Sequence, residues 1–211
     1  MYIHYIYIMN IHELKFSNGQ RARDKWCKPL TNDISMSIFE YNSVCGENNF
    51  IKQADIILDN SSRQTTLKAG IVNINDWKAE NEHIYIITKN NTIMKIGGTR
   101  TGLKNRWSSY CCGYYVPERV NKHGVPYPGK MSVTNAYLYH SIENDLLTTN
   151  NKWEIWSWCL PIVNVSVSIL GEDIDVHAQT FHAYESICIK RFIQQTGKKP
   201  ILSNNSDPDY R

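Results

Sequence analysis

The chain has 211 residues, 42% of them hydrophobic and 20% charged, with a formal net charge of +3. That length allows one domain with an elaborated arm and excludes two large independent domains. A balance this close to neutral excludes binding to polyanions over the whole surface, so any nucleic-acid site is a local patch.

The six cysteines include no CxxC pair, and Cys111 and Cys112 are adjacent. Reduced thiols in a cytoplasmic protein are therefore expected. The opening MYIHYIYIMNIHELK has no basic lead and no small-residue cleavage site, so no signal peptide is expected. No apolar run has the length to cross a bilayer, and no membrane partner is expected.

In chain order, residues 1 to 10 have the character of an edge strand, and residues 17 to 35 form a basic loop carrying Arg21, Arg23, Lys25 and Lys28. From Asn48 to Asn60 the apolar positions Ile51, Ala54, Ile57 and Leu58 predict a helix. AGIVNINDW predicts a short strand or an irregular lead-in. Ile84–Thr88 and Thr92–Ile96 are rich in β-branched residues around Lys89-Asn90-Asn91, which predicts a β-hairpin. The next helix begins near Thr101 or Gly102 and puts Leu103, Arg106, Trp107 and Tyr110 on one face.

Residues 111 to 135, punctuated by Gly113, Pro117, Gly124, Pro126, Pro128 and Gly129, predict a long connection. NAYLYHSI and KWEIWSWCLP alternate as strands do, and VNVSVSIL is a further candidate. Trp156 and Trp158 fall on one face and are expected to pack on the sheet. Phe181–Thr196 predicts a helix striped by Phe181, Tyr184, Cys188 and Phe192 and stopped by Gly197. The expected class is α+β, a small antiparallel β-sheet flanked by helices, with an N-terminal arm and inserted strands and loops.

Register decides what the hairpin presents. A two-residue loop at Asn90-Asn91 puts Tyr85 and Lys95 on opposite faces, whereas a three-residue loop sets them directly across from each other. The three-residue loop is the expectation, and Arg106 and Tyr110 then overhang the same face. Taken singly, a Tyr–Lys pair is ordinary on a solvated sheet and an arginine beside an apolar stripe ordinarily snorkels. Together they are harder to dismiss. Trp107 and Leu103 draw Arg106 inward, where it needs an anion. Glu185 lies beside the apolar stripe of its own helix and needs a metal or an arginine.

Tyr85, Lys95, Arg106, Tyr110 and Glu185 make a coherent phosphodiesterase set. One carboxylate plus water is an ordinary way to hold Mg²⁺, or Mn²⁺. Such an ion polarises the phosphate and steadies the leaving oxygen, while Arg106 offsets charge on the non-bridging oxygens. For the proton acceptor, Tyr85 with its pKa lowered by Lys95 is preferred, and Lys95 as a neutral amine is the alternative.

Other motifs carry less. KIGGTRTG lacks phosphate-loop spacing, so Gly97 and Gly98 are expected to turn the strand sharply or to admit a DNA backbone. His177 and His182 with Asp173 and Asp175 fit no zinc spacing. Cys111 and Cys112 near His123 are expected to pack in the core.

The stretches IYI, KIGGT and NRWSSY, in this order, resemble the signature of the GIY-YIG nuclease superfamily. Lys95 stands where the second motif tyrosine is usual, which is similar to a branch of GIY-YIG type II restriction endonucleases. The resemblance covers residues 83 to 110 well and 181 to 205 loosely. It implies that Arg106 is the helix arginine, Tyr110 the polar residue one turn on, Glu185 the metal-binding glutamate, and Asn204 or Asn205 the C-terminal asparagine. Residues 1–80 are then an arm embracing DNA, and 81–211 a catalytic domain with an insertion at about 111–180.

The implied function is metal-dependent, sequence-specific hydrolysis of double-stranded DNA. A homodimer on a palindromic target is expected, because two strands need two sites. Arg100, Lys104, Arg119, Lys122 and Lys130 are candidate DNA contacts. The alternatives are a phage or mobile-element endonuclease of looser specificity, and a non-catalytic nucleic-acid-binding module on the same scaffold.

Overall fold

The computed structural model describes residues 35–45, 49–59, 67–111, 119–120, 126–127 and 130–203. Helix α1 (Ile38–Val44) leads into strands β1 (Ile51–Leu58) and β2 (Leu67–Ile71) and helix α2 (Ile74–Lys78). Strands β3 (His83–Lys89) and β4 (Thr92–Thr99) precede helix α3 (Leu103–Cys111). Short strands β5 (Arg119–Val120) and β6 (Pro126–Tyr127) come before helix α4 (Lys130–Thr148). Strands β7 (Trp153–Cys159), β8 (Asn164–Ile169) and β9 (Glu172–His177) and helix α5 (Phe181–Thr196) follow.

The β3–β4 hairpin turns on two residues. Asn90 and Asn91 both take positive φ, 48° and 65°, the paired left-handed geometry that matches strand twist in a two-residue turn. Lys89 therefore pairs with Thr92 and Thr88 with Ile93. Beyond them the register slips, so that Ile87 pairs with Lys95 and Tyr85 with Gly97. The slip is a β-bulge at Met94, one extra residue that flips the alternation. The three-residue loop expected from sequence is thus corrected. Tyr85 and Lys95 still share a face, as diagonal rather than direct neighbours.

A second bulge explains the one helix expected where a strand forms. In β1, Lys52 pairs with Trp156 and Ala54 with Ile155, leaving Gln53 over. Its carbonyl accepts from the backbone N–H groups of Val72 and Asn73 at 2.8 and 3.3 Å. An inserted residue breaks the two-residue period, and the remaining apolar spacing imitates a helix. The reverse happened at NAYLYHSI, expected as a strand. It lies inside α4, where Leu138, Tyr139, Ile142 and Leu146 face the core at helical spacing.

The main sheet is wholly antiparallel, in the order β2-β1-β7-β3-β4, and β5–β6 and β8–β9 form separate two-stranded ribbons. It draws β1 and β2 from before residue 80, and β7, from within the expected insertion, lies between β1 and β3. Each face carries a hydrophobic cluster. On one, Tyr85, Ile87, Met94 and Ile155 meet Trp77 of α2, Leu103 and Tyr110 of α3, and Leu138 and Ile142 of α4. On the other, Ile84, Ile86 and Ile96 meet Ile38 and Tyr41 of α1 and Phe181, Cys188 and Phe192 of α5. Trp156 and Trp158 pack against this second cluster, as their alternation implied. Helix α5 ends at Gly197, whose φ of 80° and N–H bond to the Ile193 carbonyl (2.7 Å) close its last turn.

Candidate active site

The two tyrosines and the arginine are joined directly. Tyr85 on β3 and Tyr110 on α3 share a hydrogen bond between their hydroxyls. Arg106, one helical turn before Tyr110, donates from Nε to Tyr85 Oη and from Nη2 to Tyr110 Oη, both at 3.0 Å. Its guanidinium carbon also lies 4.5 Å from the centre of the Tyr110 ring. Helix α3 can lie this close because Gly102 takes φ of 82° just before it, where any side chain would collide with the Ala79 carbonyl.

Lys95 extends from β4 on the same face. It is 3% exposed, and its ammonium donates to the Leu202 carbonyl at 3.1 Å. Among the described residues neither Lys95 nor Arg106 has a carboxylate partner. Burial, helped by the neighbouring Arg106 charge and opposed by Glu185, pushes the Lys95 ammonium down to about 8. Burial also works against the Arg106 charge, but Tyr110 and Tyr85 outweigh it and raise its pKa. Both phenols are raised as well. Burial is the main cause for each, and for Tyr85 the Arg106 charge only partly offsets it. The expectation that Lys95 lowers the Tyr85 phenol is therefore corrected. Lys95, not Tyr85, is the group moved towards neutral pH.

Glu185 lies on the other face of the sheet, against Gly98 of β4. Gly97 and Gly98 remain within β4 and do not turn it. A Cβ at Gly97 would overlap the Tyr85 hydroxyl, whereas one at Gly98 would come within 2.7 Å of the Phe181 ring and 3.1 Å of Glu185 Oε2. The bare backbone thus lets a phenol and a carboxylate approach one strand from opposite sides. The expectation was a sharp turn of the strand or the approach of a DNA backbone; β4 continues through both glycines, and protein side chains occupy the space beside them. Glu185 influences Lys95 and Tyr85 through space, and among the described residues it has no hydrogen bond or ion pair.

Helix α5 is held in place by a residue that sequence reasoning missed. Glu82, immediately before β3, accepts through Oε2 from the N–H of Thr180 (2.9 Å), the hydroxyl of Thr180 (2.9 Å) and the N–H of Phe181 (3.2 Å). It caps the helix from a distant part of the chain and meets the positive end of its dipole. No local signal marks it, because its partners are 98 and 99 residues away.

Among the described residues no three His, Cys, Asp or Glu side chains gather to hold a metal. An unpartnered single carboxylate fits a hard cation that keeps water and takes phosphate oxygens, as Mg²⁺ does, and does not fit a closed zinc site. Arg100, just before α3, and Lys104, in its first turn, are exposed. Arg119 lies in β5, and Lys130 is the first residue of α4. Lys122, Asn204 and Asn205 lie outside the described residues.

The chain matches no protein-family profile and no curated protein. Among solved structures it is similar to restriction endonuclease HPY188I in complex with product DNA, at 22% identity over 89% of this chain and 90% of that one, TM-score 0.45. It is also similar to a bacteriophage T4 EndoII mutant, at 16% identity over 74% of this chain and 94% of that one, TM-score 0.43.

Proposed function

We propose that the protein is a metal-dependent endonuclease that hydrolyses phosphodiester bonds of double-stranded DNA, with a GIY-YIG-like site. One observation carries this reading. Two cations, Lys95 and Arg106, are drawn out of water on one face, and neither meets a carboxylate among the described residues. Such charges are costly unless an anion completes the site, and a phosphate between a strand lysine, a helix arginine and two phenols is the anion that suits them.

In this reading Arg106, its fork fixed by two phenolic oxygens, meets the non-bridging oxygens as charge builds on them. Tyr85 and Tyr110 orient that fork and offer hydroxyls to the same oxygens. Lys95 in its charged form meets the phosphate oxygens, and its neutral fraction, available because its pKa is about 8, accepts the proton of the attacking water. Glu185 would hold a divalent cation, which when bound supplies Lewis-acid stabilisation of the leaving oxygen. Cutting both strands at a fixed place calls for a homodimer on a palindromic target, a restriction-type arrangement.

The direct test incubates the full chain with supercoiled plasmid and Mg²⁺, with and without EDTA. Discrete linear fragments that vanish with EDTA support the restriction-type reading. A smear reduces it to an endonuclease of loose specificity, and plasmid left intact with Mg²⁺, and again when Mn²⁺ replaces it, rejects it.

A further inference from the structure

The free edge of β4 is not left bare. Near the turn, Ile93 N–H donates to the Met36 carbonyl at 3.0 Å, and Ile38 N–H to the Asn91 carbonyl at 2.9 Å. Past the Met94 bulge that cover ends and a different segment takes over. Leu202 N–H donates to the Met94 carbonyl at 2.8 Å. Ile96 N–H donates to Ser203 Oγ at 2.9 Å, and the Ser203 hydroxyl donates to the Ile96 carbonyl at 3.2 Å. One serine side chain therefore satisfies both backbone groups that a neighbouring strand would otherwise meet. The clamps fall on the residues immediately before and after Lys95, and between them the Leu202 carbonyl receives the Lys95 ammonium.

We propose that Leu202 and Ser203 are positioning residues of the candidate site, the C-terminal segment fixing where the Lys95 ammonium stands. This rests on the nuclease reading above. A lysine on four rotatable carbons has no preferred geometry of its own and is placed only by what it donates to. Here that is one main-chain carbonyl, itself buttressed by the burial of the Leu202 side chain in the core cluster that also holds Tyr85 and Met94. The charged groups that act on the ammonium are Arg106 from α3 and, from the other face of the sheet, Glu185 of α5, and the Tyr85 phenol of β3 shares its face. None of these accepts a hydrogen bond from it, so the segment alone sets its position among the described residues.

The test compares Ser203→Ala and Ser203→Thr in the full chain by two measurements. One is single-turnover plasmid cleavage with Mg²⁺ from pH 6 to pH 10. The other follows the titration of the lysine Cε signals by NMR, without DNA or metal. Loosening the segment lets water reach the ammonium and relieves the burial that depresses it, so Ser203→Ala is expected to cut at least tenfold more slowly and to move the lysine midpoint up towards the ordinary range, with little change in melting temperature. Ser203→Thr is expected to restore both. Wild-type cleavage and an unmoved midpoint in Ser203→Ala overturn the proposal, as does slower cleavage with the midpoint unmoved. If wild-type protein cuts no DNA, the nuclease reading fails by itself, and the midpoint still decides whether the segment places the lysine. If Ser203→Ala does not fold, Ser203→Cys undergoes the same two measurements with the same outcomes.

Discussion

Arg106 donates to the Tyr85 hydroxyl at 3.0 Å and to that of Tyr110 at the same distance, so both forks of a guanidinium end on neutral phenols. Carboxylates are the usual partners of a half-buried arginine. With phenols in that place the charge is positioned without being neutralised, which suits a group awaiting an anion. Arg106→Lys keeps the charge but loses the planar two-point geometry. Plasmid cleavage should fall by about 100-fold or more, the usual scale for one oxyanion donor. Cleavage retained within tenfold of wild type would show that the charge alone suffices.

Tyr85→Phe removes the oxygen that meets both Tyr110 and Arg106 while keeping the buried ring. DNA cleavage should be abolished and DNA binding, read by gel shift in EDTA, should survive. Substantial residual cutting would remove Tyr85 from the chemistry.

Lys95 carries a cost in stability that depends on pH. Its folded pKa, about 8, lies below the ordinary 10.5. The cost is therefore fully present below pH 8 and fades as pH rises, because the unfolded chain then holds the extra proton. At roughly 1.4 kcal/mol for each unit, the full cost is on the order of 3 kcal/mol. Lys95→Met should be inactive yet at least as stable as wild type at pH 7, with its advantage shrinking by pH 10. Parallel melting curves across that range would show that the ammonium is not strained.

Glu82 should affect stability and the site together. Glu82→Ala leaves the first N–H groups of α5 without their acceptor, a loss of about 1–2 kcal/mol by analogy with helix caps. At about 2–4 °C for each kcal/mol in a chain of this size, calorimetry should show a clear drop in melting temperature. Cleavage should fall further than Tm alone explains, since Glu185 lies one turn into that helix. An unchanged melting temperature would mean that the cap contributes nothing.

The hairpin turn offers a control remote from the site. Asn91→Val puts a β-branched residue at φ of 65° and should destabilise the protein by about 1–2 kcal/mol. Asn91→Gly should be neutral or mildly stabilising. Equal stability of the two variants in chemical denaturation would contradict the two-residue turn.

The sequence by itself determined the elements whose signals are local. The β3–β4 hairpin follows from β-branched runs around two asparagines, α5 from its apolar stripe and Gly197, and the face of α3 from the spacing of Leu103, Arg106, Trp107 and Tyr110. The same local evidence placed Tyr85, Lys95, Arg106 and Tyr110 together, and it did so through a register the structure replaces. Only the tertiary structure decided the rest, because the deciding contacts join residues far apart in the chain. The Gln53 and Met94 bulges shift strand periodicity through bonds to partners no local window contains. Glu82 finds α5, Glu185 comes to lie against Gly98 on the opposite face of β4, and Ser203 closes the edge beside Lys95. Hydrophobic spacing reports which side of an element avoids water. It carries no record of which distant backbone group a side chain meets, and those meetings set the protonation of Lys95 and the orientation of Arg106.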